Sequence, residues 1–212
     1  MFLDDEEYRH VVGVMCEKIQ LSPLHVELKA WAEKEMQLKV YDYICDYTTN
    51  GMIRLRIVLW DHEAIIRMHK GANLDPEKQK KFQKVFAELA RKYNLHKEYW
   101  DGNSIFVCYE AIKDEIQKRV LKQARSEIEK IFDPDIWRIE FIFEGIHIFY
   151  ETDEQVRLNA ENGKSHAIWQ KCTEVVRKYD FCDVFKEGAN CIFTSRQTLN
   201  EKYNGSMFFY MR

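Results

Sequence analysis

The sequence predicts an α+β protein made of two tandem, pseudo-symmetric ββαβ(α) halves that follow two N-terminal helices. Along the 212 residues, the apolar spacing alternates between a helical period and a strand period. The order hairpin, helix, strand, helix occurs twice, and a shift of 86 positions superimposes similar residues. We expect mainly antiparallel sheet with helices on one face, packed as one unit. The predicted boundaries are 1–36 for the N-terminal helical segment, 37–131 for the first repeat and 132–212 for the second.

Two helices are predicted before the first repeat. Asp4 is a suitable N-cap for a helix that continues to about Gln20, because apolar residues recur there on one helical face. Ser22-Pro23 has the composition of an N-cap followed by the first helical position. The second helix would bury Leu24, Leu28, Trp31 and Ala32.

The first repeat begins where the apolar period changes at Leu38. Strands are predicted at 38–47 and 52–60, joined by Thr48-Thr49-Asn50-Gly51, whose Asn-Gly pair is typical of a hairpin turn. The remaining elements are a helix that begins at Asp75-Pro76, a strand at 104–109, and a long helix with Ile112, Ile116, Val120, Ala124 and Ile128 on one face.

The second repeat follows Asp133-Pro134-Asp135, which ends the long helix. A second hairpin is predicted around Glu144-Gly145, with strands at 136–143 and 146–152. The later elements are a helix at about 163–179, a strand at 190–195, a short helix or turn near Leu199 and a last strand at 206–211.

The repeat is clearest where residues 88–107 fall on residues 174–193, since five of these twenty positions are identical. Upstream the register changes, which indicates about five extra residues near Gly71 in the first copy. Two features recur: Tyr93 matches Tyr179, and Gly102 matches Gly188. They allow two interpretations. One is a duplicated ligand loop; the other is a helix-end tyrosine that packs on the core and a glycine that supplies a positive φ.

A three-residue turn is predicted in the first hairpin, at Thr49-Asn50-Gly51, with Gly51 in the left-handed conformation. It puts Asp46 opposite Arg54. A two-residue turn would instead put Asp46 opposite Leu55 and bury an unpaired carboxylate.

The second hairpin is predicted to turn at the two residues Glu144-Gly145. This register would pair Arg138 with Glu151 and Ile142 with His147 on the outer face. The core face would contain Trp137, Ile139, Phe141 and Phe143 with Ile146, Ile148 and Tyr150.

Each hairpin therefore has an outer face that mixes charged and apolar side chains. This face is either solvated, with weak cross-strand ion pairs, or a recognition surface for a protein or an anionic ligand. The first two helices could equally cover its apolar residues. The candidate binding residues on this face are Asp46, Arg54, Arg56, Arg138, Glu140, His147 and Glu151.

Charge and composition exclude several classes of protein. Lys and Arg number 32 against 35 Asp and Glu, a balance that argues against a nucleic-acid partner. The first residues lack the features of a secretory signal, and no apolar run could span a bilayer, so we expect a cytoplasmic protein with no membrane partner. The six cysteines, which form no CxxC pair, would then be reduced; the alternative is a secreted domain with three disulfides.

Common catalytic motifs are absent from the sequence, including GxGxxG, GxxxxGK[ST], HExxH and GxSxG. The best metal candidate is Asp61-His62-Glu63 with His69, but three adjacent residues cannot all point at one ion. We therefore expect no metal and no cofactor, and assign no catalytic residue.

Two functional hypotheses follow. The first is a non-catalytic intracellular binding protein, of adaptor, chaperone or immunity type, which binds a protein partner or itself through the outer sheet face or the cleft between the repeats. The alternative is a small enzyme with its active site at the junction of the repeats, built from the loops near Asp101 and Glu187 or from the outer sheet face. A deep pocket with converging His, Cys or carboxylate groups would favour the enzyme, and a flat, partly apolar face would favour the binding protein.

Overall fold

The computed structural model describes residues 3–212, and the chain divides into two compact units. The first unit ends at Glu115 and the second runs from Ile116 to Arg212. Each unit contains a three-stranded sheet with helices, which confirms the α+β class and the two sheet-and-helix units. The predicted boundaries at 36/37 and 131/132, and the packing of both repeats as one unit, stay predictions.

The first unit begins with two helices whose N-caps lie where the sequence predicts them. Asp4 accepts hydrogen bonds from the backbone of Glu6 and Glu7, and Ser22 caps a helix that starts at Pro23. The elements are α1 (Asp5–Met15), α2 (Pro23–Met36), β1 (Asp42–Tyr47), β2 (Ile53–Leu59), α3 (His62–Ile66), β3 (His69–Lys70), β4 (Asn73–Leu74), α4 (Pro76–Lys92) and β5 (Ile105–Ala111).

The second unit takes up the chain within a long helix, α5 (Ile112–Ile128), whose predicted apolar face is buried. The following elements are β6 (Ile136–Ile142), β7 (Gly145–Tyr150), α6 (Asp153–Glu161), α7 (Lys164–Arg177), β8 (Cys191–Ser195), α8 (Arg196–Tyr203) and α9 (Met207–Tyr210). Among the described residues, no helix has the length and apolar character needed to cross a membrane.

Both sheets have the same topology. The order is β1-β2-β5 in the first unit and β6-β7-β8 in the second. In each, the hairpin strands pair antiparallel and the third strand pairs parallel to the middle one. Among the described residues, three of the five strand pairings, β3–β4 included, are antiparallel, and the two parallel ones arise because helices cross over between the second and third strands and return the chain in the same direction.

The strand ends measure the insertion in the first copy. In the first repeat 45 residues lie between the end of β2 and the start of β5, and in the second 40 lie between the end of β7 and the start of β8. The first connection is therefore longer by five residues, as predicted. The small β3–β4 hairpin around Gly71 occupies this connection, at the predicted place.

A further correspondence between the units was not predicted. At the end of α4, Lys92-Tyr93 binds the carboxylate of Glu27 on α2, with Lys92 Nζ at 2.6 Å from Glu27 Oε1. At the end of α7, Lys178-Tyr179 binds Glu127 on α5 in the same way, with Lys178 Nζ at 2.6 Å from Glu127 Oε2. The helices α2 and α5 therefore occupy equivalent positions, and the repeating arrangement begins one helix earlier than the sequence predicts.

These contacts predict a pH dependence that can be measured. Hydrogen bonds from Lys92 and Tyr93 hold the pKa of Glu27 below its ordinary value. A carboxylate with a lowered folded-state pKa stabilises the fold above its unfolded-state pKa and loses that contribution as pH falls. Denaturant unfolding should therefore show a smaller loss of stability between about pH 5 and pH 3 in Glu27→Gln than in the wild type. Glu33→Gln, on the same helix, should match the wild type, and equal slopes in all three proteins would contradict the prediction.

The core of the first unit lies between one sheet face and the helices α2 and α4. Leu55, Ile57 and Val107 contribute from the strands, and Leu28 and Phe86 from the helices. All five side chains are essentially inaccessible to solvent. The opposite sheet face carries the charged residues and is contacted by α1, so the helices are not all on one face.

The first hairpin has the predicted three-residue turn. Thr48 and Met52 form the last pair, with Thr48 N donating to Met52 O at 2.9 Å, and Gly51 has a φ of +80°. Asp46 lies opposite Arg54, as predicted. The alternative that buries Asp46 against Leu55 is thereby excluded.

The second hairpin differs from the prediction by two residues in register. Its turn is Phe143-Glu144, so Ile142 pairs with Gly145, and Phe143 takes the positive φ. Gly145 is the first residue of β7, and a Cβ added there would lie 3.3 Å from His147 Nε2 and 3.4 Å from Ile142 O. Glu140, rather than Ile142, lies opposite His147. A shift of two residues preserves the faces, so Ile139 and Phe141 still share a face with Ile146 and Ile148.

Trp137 does not lie on the core face as predicted. A bulge between Ile136 and Arg138 moves its ring against Phe149, at 6.0 Å between centroids, and beneath the Arg196 guanidinium. The two-residue change of register puts Arg138 opposite Phe149, so the predicted pairing of Arg138 with Glu151 is also wrong; the bulge itself puts Ile136 opposite Tyr150.

Two predictions near the chain ends fail for local reasons. The expected strand at 206–211 is the helix α9, since a short apolar run fits either period. The helix predicted to reach Gln20 ends at Met15. The helix α6 was not predicted, although the capping box between Thr152 and Gln155 is a recognisable signal for a helix start.

Candidate functional site

The charged face of the first sheet is formed by Asp46, Arg54, Arg56 and Glu110, which alternate with the core residues of their strands. Arg54 forms a two-point contact with Asp46, at 2.7 Å from Nε to Oδ1 and 2.6 Å from Nη2 to Oδ2. Burial alone would raise the pKa of Asp46, but the hydrogen bonds from Arg54 and Arg56 outweigh it and hold that pKa below its ordinary value. Asp46 is therefore ionised at neutral pH.

Arg56 is at the centre of this face and is 3% exposed. It donates to Glu7 twice, at 2.6 and 2.9 Å, to Asp46 at 3.0 Å and to Glu110 at 3.3 Å. Burial raises the pKa of Glu110, despite the nearby arginines. Because Glu7 belongs to α1, this helix covers the face, and the prediction that the charged side of the first sheet is open to solvent is wrong at Arg56.

A second set of polar contacts joins α1 and α2 to the start of β1. The carboxylate of Asp42 is inaccessible to solvent and lies 2.8 Å from His10 Nδ1 and 2.9 Å from His25 Nε2. Ser22 Oγ lies 2.9 Å from His25 Nδ1. The series Ser22, His25, Asp42 has the residue types of a hydrolase triad, but Ser22 Oγ also accepts the His25 backbone N–H as an N-cap. The Ser22 side chain therefore fixes the start of α2. No sequence motif predicted this cluster of Ser22, His25 and Asp42.

The predicted binding residues of the second sheet are spread over separate contacts. Arg138 pairs with Glu140, while Glu151 lies 3.5 Å from Arg196. His147 Nδ1 is 2.8 Å from the Tyr210 hydroxyl, and burial lowers the pKa of this histidine. His147 is therefore neutral at neutral pH. That all seven predicted residues bind a partner stays a prediction.

An open groove, here called the α4 groove, lies between α4 and the loop at Asp101-Gly102-Asn103. Its volume is about 460 Å³, and its cationic residues are Lys80, Lys84 and Arg91. Both lysines are exposed, and neither has an ion-pair partner among the described residues. The groove thus presents two available ammonium groups to solvent.

A second groove of about 480 Å³ adjoins the first and shares Gln83 and Asn103 with it. Its apolar lining includes Met52 and Phe106, which are 47% and 37% exposed. We call it the apolar extension. Together the two grooves join a cationic end to an apolar end on the first unit.

Local contacts explain why the loop lies so close to α4. A Cβ on Gly102 would come within 2.9 Å of Gln83 O, so a glycine is needed for this approach. Gln83 Nε2 donates to Ile105 O at 2.7 Å. Ser104 Oγ and the Asn103 N–H donate to Asp101, and these bonds lower the pKa of its carboxyl group. The loop is therefore held in place by the chain itself.

No protein-family model, no curated protein and no solved structure matches the chain.

In the second repeat, a tryptophan side chain occupies the space that forms the α4 groove in the first repeat. Trp169 stands where the first copy has Gln83, and its indole N–H donates to Ala189 O at 2.8 Å. Its ring lies over Gly188, where an added Cβ would meet Cζ2 at 2.2 Å. The positions equivalent to the two groove lysines are His166 and Gln170. The open groove and its lysines are therefore features of the first repeat.

The duplicated Tyr and Gly have structural contacts. Tyr93 donates to Glu27 on α2, and Tyr179 donates to Glu127 on α5. Gly102 and Gly188 permit close packing on α4 and α7. Gly188 has the predicted positive φ, of +101°, whereas Gly102 is required by its close approach. Among the described residues, no group of three or more His, Cys, Asp and Glu could hold a metal ion.

Proposed function

We propose that the protein is a non-catalytic binding protein whose α4 groove holds a partner-protein segment with an acidic residue followed by an apolar side chain. The observation that carries the proposal is the junction of the cationic groove and the apolar extension at Gln83 and Asn103. Each volume falls within the range of sites that enclose a small ligand, so the two together can hold a few side chains.

Charge supports an acidic segment. Lys80 and Lys84 are one helical turn apart on α4, so their ammonium groups can contact the same or neighbouring carboxylates. Two carboxylates also line the groove: Glu88 on α4, and Asp101 on the opposite wall, which already accepts from Ser104 and Asn103. Three cationic side chains outnumber them, so the groove still favours an acidic ligand. Exposed charges of this kind act chiefly on orientation and association rate, so binding should weaken with salt.

The apolar extension supports an apolar side chain next to the acidic one. Met52 and Phe106 are exposed and line the apolar extension. Methionine and aromatic side chains are enriched in protein interfaces. The charged face of the first sheet is a weaker candidate, because Arg56 is already bound by Glu7 of α1.

The test is fluorescence polarisation with three labelled synthetic peptides. One carries Asp-Glu followed by Leu-Phe, the second has Lys-Lys in place of the acids, and the third has Ser-Ser in place of the apolar pair. We expect the first to bind most tightly. Lys80→Glu/Lys84→Glu should weaken it by roughly tenfold or more.

The matched control reverses two exposed helix lysines of the second unit, Lys122→Glu/Lys171→Glu, and should bind as the wild type does. Equal affinities for the three peptides, or equal losses in both double variants, would contradict the proposal.

A further inference from the structure

The strand β8 lies at one edge of the second sheet, next to β7. Ile146 N donates to Asn190 O at 2.8 Å, so the Asn190 carbonyl points towards β7. Backbone groups of successive strand residues point to opposite sides, so Cys191 O and both the N–H and the C=O of Phe193 point away from β7. Among the described residues, none forms a hydrogen bond with these three groups.

The equivalent edge of the first sheet is closed by two side chains of α4. Gln83 Nε2 donates to Ile105 O, and Gln79 Nε2 donates to Val107 O, each at 2.7 Å. These are the alternate carbonyls of β5 that point away from β2. The glutamine amides therefore occupy the positions that another strand would need.

The second repeat lacks both glutamines. The 86-residue shift puts Ser165 and Trp169 at their positions on α7. Ser165 Oγ lies 3.0 Å from the Tyr150 hydroxyl, and Trp169 donates to Ala189 O at 2.8 Å. Neither side chain is bonded to a carbonyl of β8, so this edge is left open.

The side chains of β8 are also more open than those of β5. Ile105 and Val107 are 1% and 0% exposed, whereas their counterparts Cys191 and Phe193 are partly exposed and Ile192 is 41% exposed. The strand has no charged residue and no proline, two of the features that commonly prevent pairing at an exposed edge. A further strand can therefore add to β8.

We propose that β8 pairs antiparallel with β8 of a second copy of this chain, about a twofold axis at Phe193. Both backbone groups of Phe193 point outward, so the axis puts each N–H opposite the C=O of the other copy. The same register puts Cys191 opposite Ser195 and Ile192 opposite Thr194. Ile192 thereby gains a cross-strand neighbour that covers its exposed side chain.

Charge favours a second copy as the occupant of this edge. No like charges meet in the pairing, because the strand has none, and the first charged residue after it, Arg196, falls opposite the neutral Asn190. The paired segment is short, because α8 begins at Arg196 directly after the strand. Its area is smaller than that of a stable dimer, so the association is weak and reversible.

The test is sedimentation velocity of the full chain over a series of concentrations, with dithiothreitol present so that no disulfide forms. We expect a reversible equilibrium between monomer and dimer. Amide hydrogen exchange at Phe193 should slow as the concentration rises, because its N–H gains an acceptor. Exchange at Val107, the equivalent residue of the closed edge, should not depend on concentration.

Two variants complete the test. Ile192→Lys puts a charge on the edge and should weaken the dimer by roughly tenfold or more. Leu158→Lys changes a side chain of similar exposure, 43%, on α6 of the same unit and should dimerise as the wild type does. Both variants should bind the Asp-Glu-Leu-Phe peptide normally, because the α4 groove lies in the first unit.

The proposal is overturned if the chain stays monomeric at its highest soluble concentration, or if Ile192→Lys dimerises as the wild type does. It is also overturned if exchange at Phe193 slows only when an extended peptide is added, since the edge would then take a strand of another protein. The wild-type exchange series decides the matter even if a variant folds poorly.

Discussion

Replacing Arg56 with alanine is expected to lower the free energy of unfolding by about 3–5 kcal/mol, the cost of breaking a buried ion pair by removing one partner. The guanidinium is bound by the carboxylates of Glu7, Asp46 and Glu110. Its loss leaves Glu110 buried without this partner and releases the contact that holds α1 on the sheet. Urea denaturation followed by circular dichroism measures the change.

Two further variants separate this effect from the general loss of an arginine. Arg138→Ala removes a half-exposed arginine from the second sheet and should cost less than about 1 kcal/mol. Glu110→Gln in the Arg56→Ala background should recover part of the loss, because the buried carboxylate no longer has to be ionised. Similar losses in Arg56→Ala and Arg138→Ala would show that the buried network is not what stabilises this face.

Gly188→Ala is expected to destabilise the second unit by about 2–4 kcal/mol, through positive-φ strain and overpacking together. The residue has a φ of +101°, and the new methyl group would meet Trp169 Cζ2 at 2.2 Å. The ring cannot move freely because its indole N–H is bound to Ala189 O. Thermal unfolding is the measurement.

The sequence supplies a matched control for the backbone strain. Gly163 also has a positive φ, of +82°, but no atom lies within 4 Å of an added Cβ. Gly163→Ala should therefore cost only about 1 kcal/mol. Trp169→Leu should recover stability in the Gly188→Ala background. Equal losses at the two glycines would mean that backbone strain, not the contact with Trp169, requires Gly188.

Helix starts were predictable because their signals are local. Asp4, Ser22 and Asp75 all cap helices at the predicted positions. An N-cap side chain accepts from backbone N–H groups two or three residues later, so the whole signal lies within four consecutive residues. The turn at Gly51 was predictable for a related reason, because only one loop length keeps Asp46 out of the core.

Features that depend on distant residues were not predictable from pattern alone. The parallel pairing of β5 and β8 depends on how the crossover helices return the chain. The start of β7 in the second hairpin is bound to a distant part of the chain, because Ile146 N donates to Asn190 O at 2.8 Å. Glu7, on α1, binds Arg56, which is 49 positions away along the chain, and no local pattern indicates this contact.

The α4 groove was missed, although the repeat contained a signal for it. The aligned copies differ at Gln83 and Trp169, and the lysines at 80 and 84 have uncharged or weakly basic counterparts. Where one repeat has an aromatic ring and the other has a smaller amide side chain, the space that the ring fills in one copy is open in the other. The close approach of Gly102 to Gln83 O, which brings the loop against α4, could be seen only in the structure.

The most direct test of the binding function is an amide chemical-shift titration of the isotope-labelled protein with the Asp-Glu-Leu-Phe peptide. The account predicts saturable shifts at Lys84, Gln83 and Asn103 that extend to Phe106, with the equivalent residues around Trp169 unchanged. Shifts confined to the second unit, or no shifts at peptide excess, would contradict it.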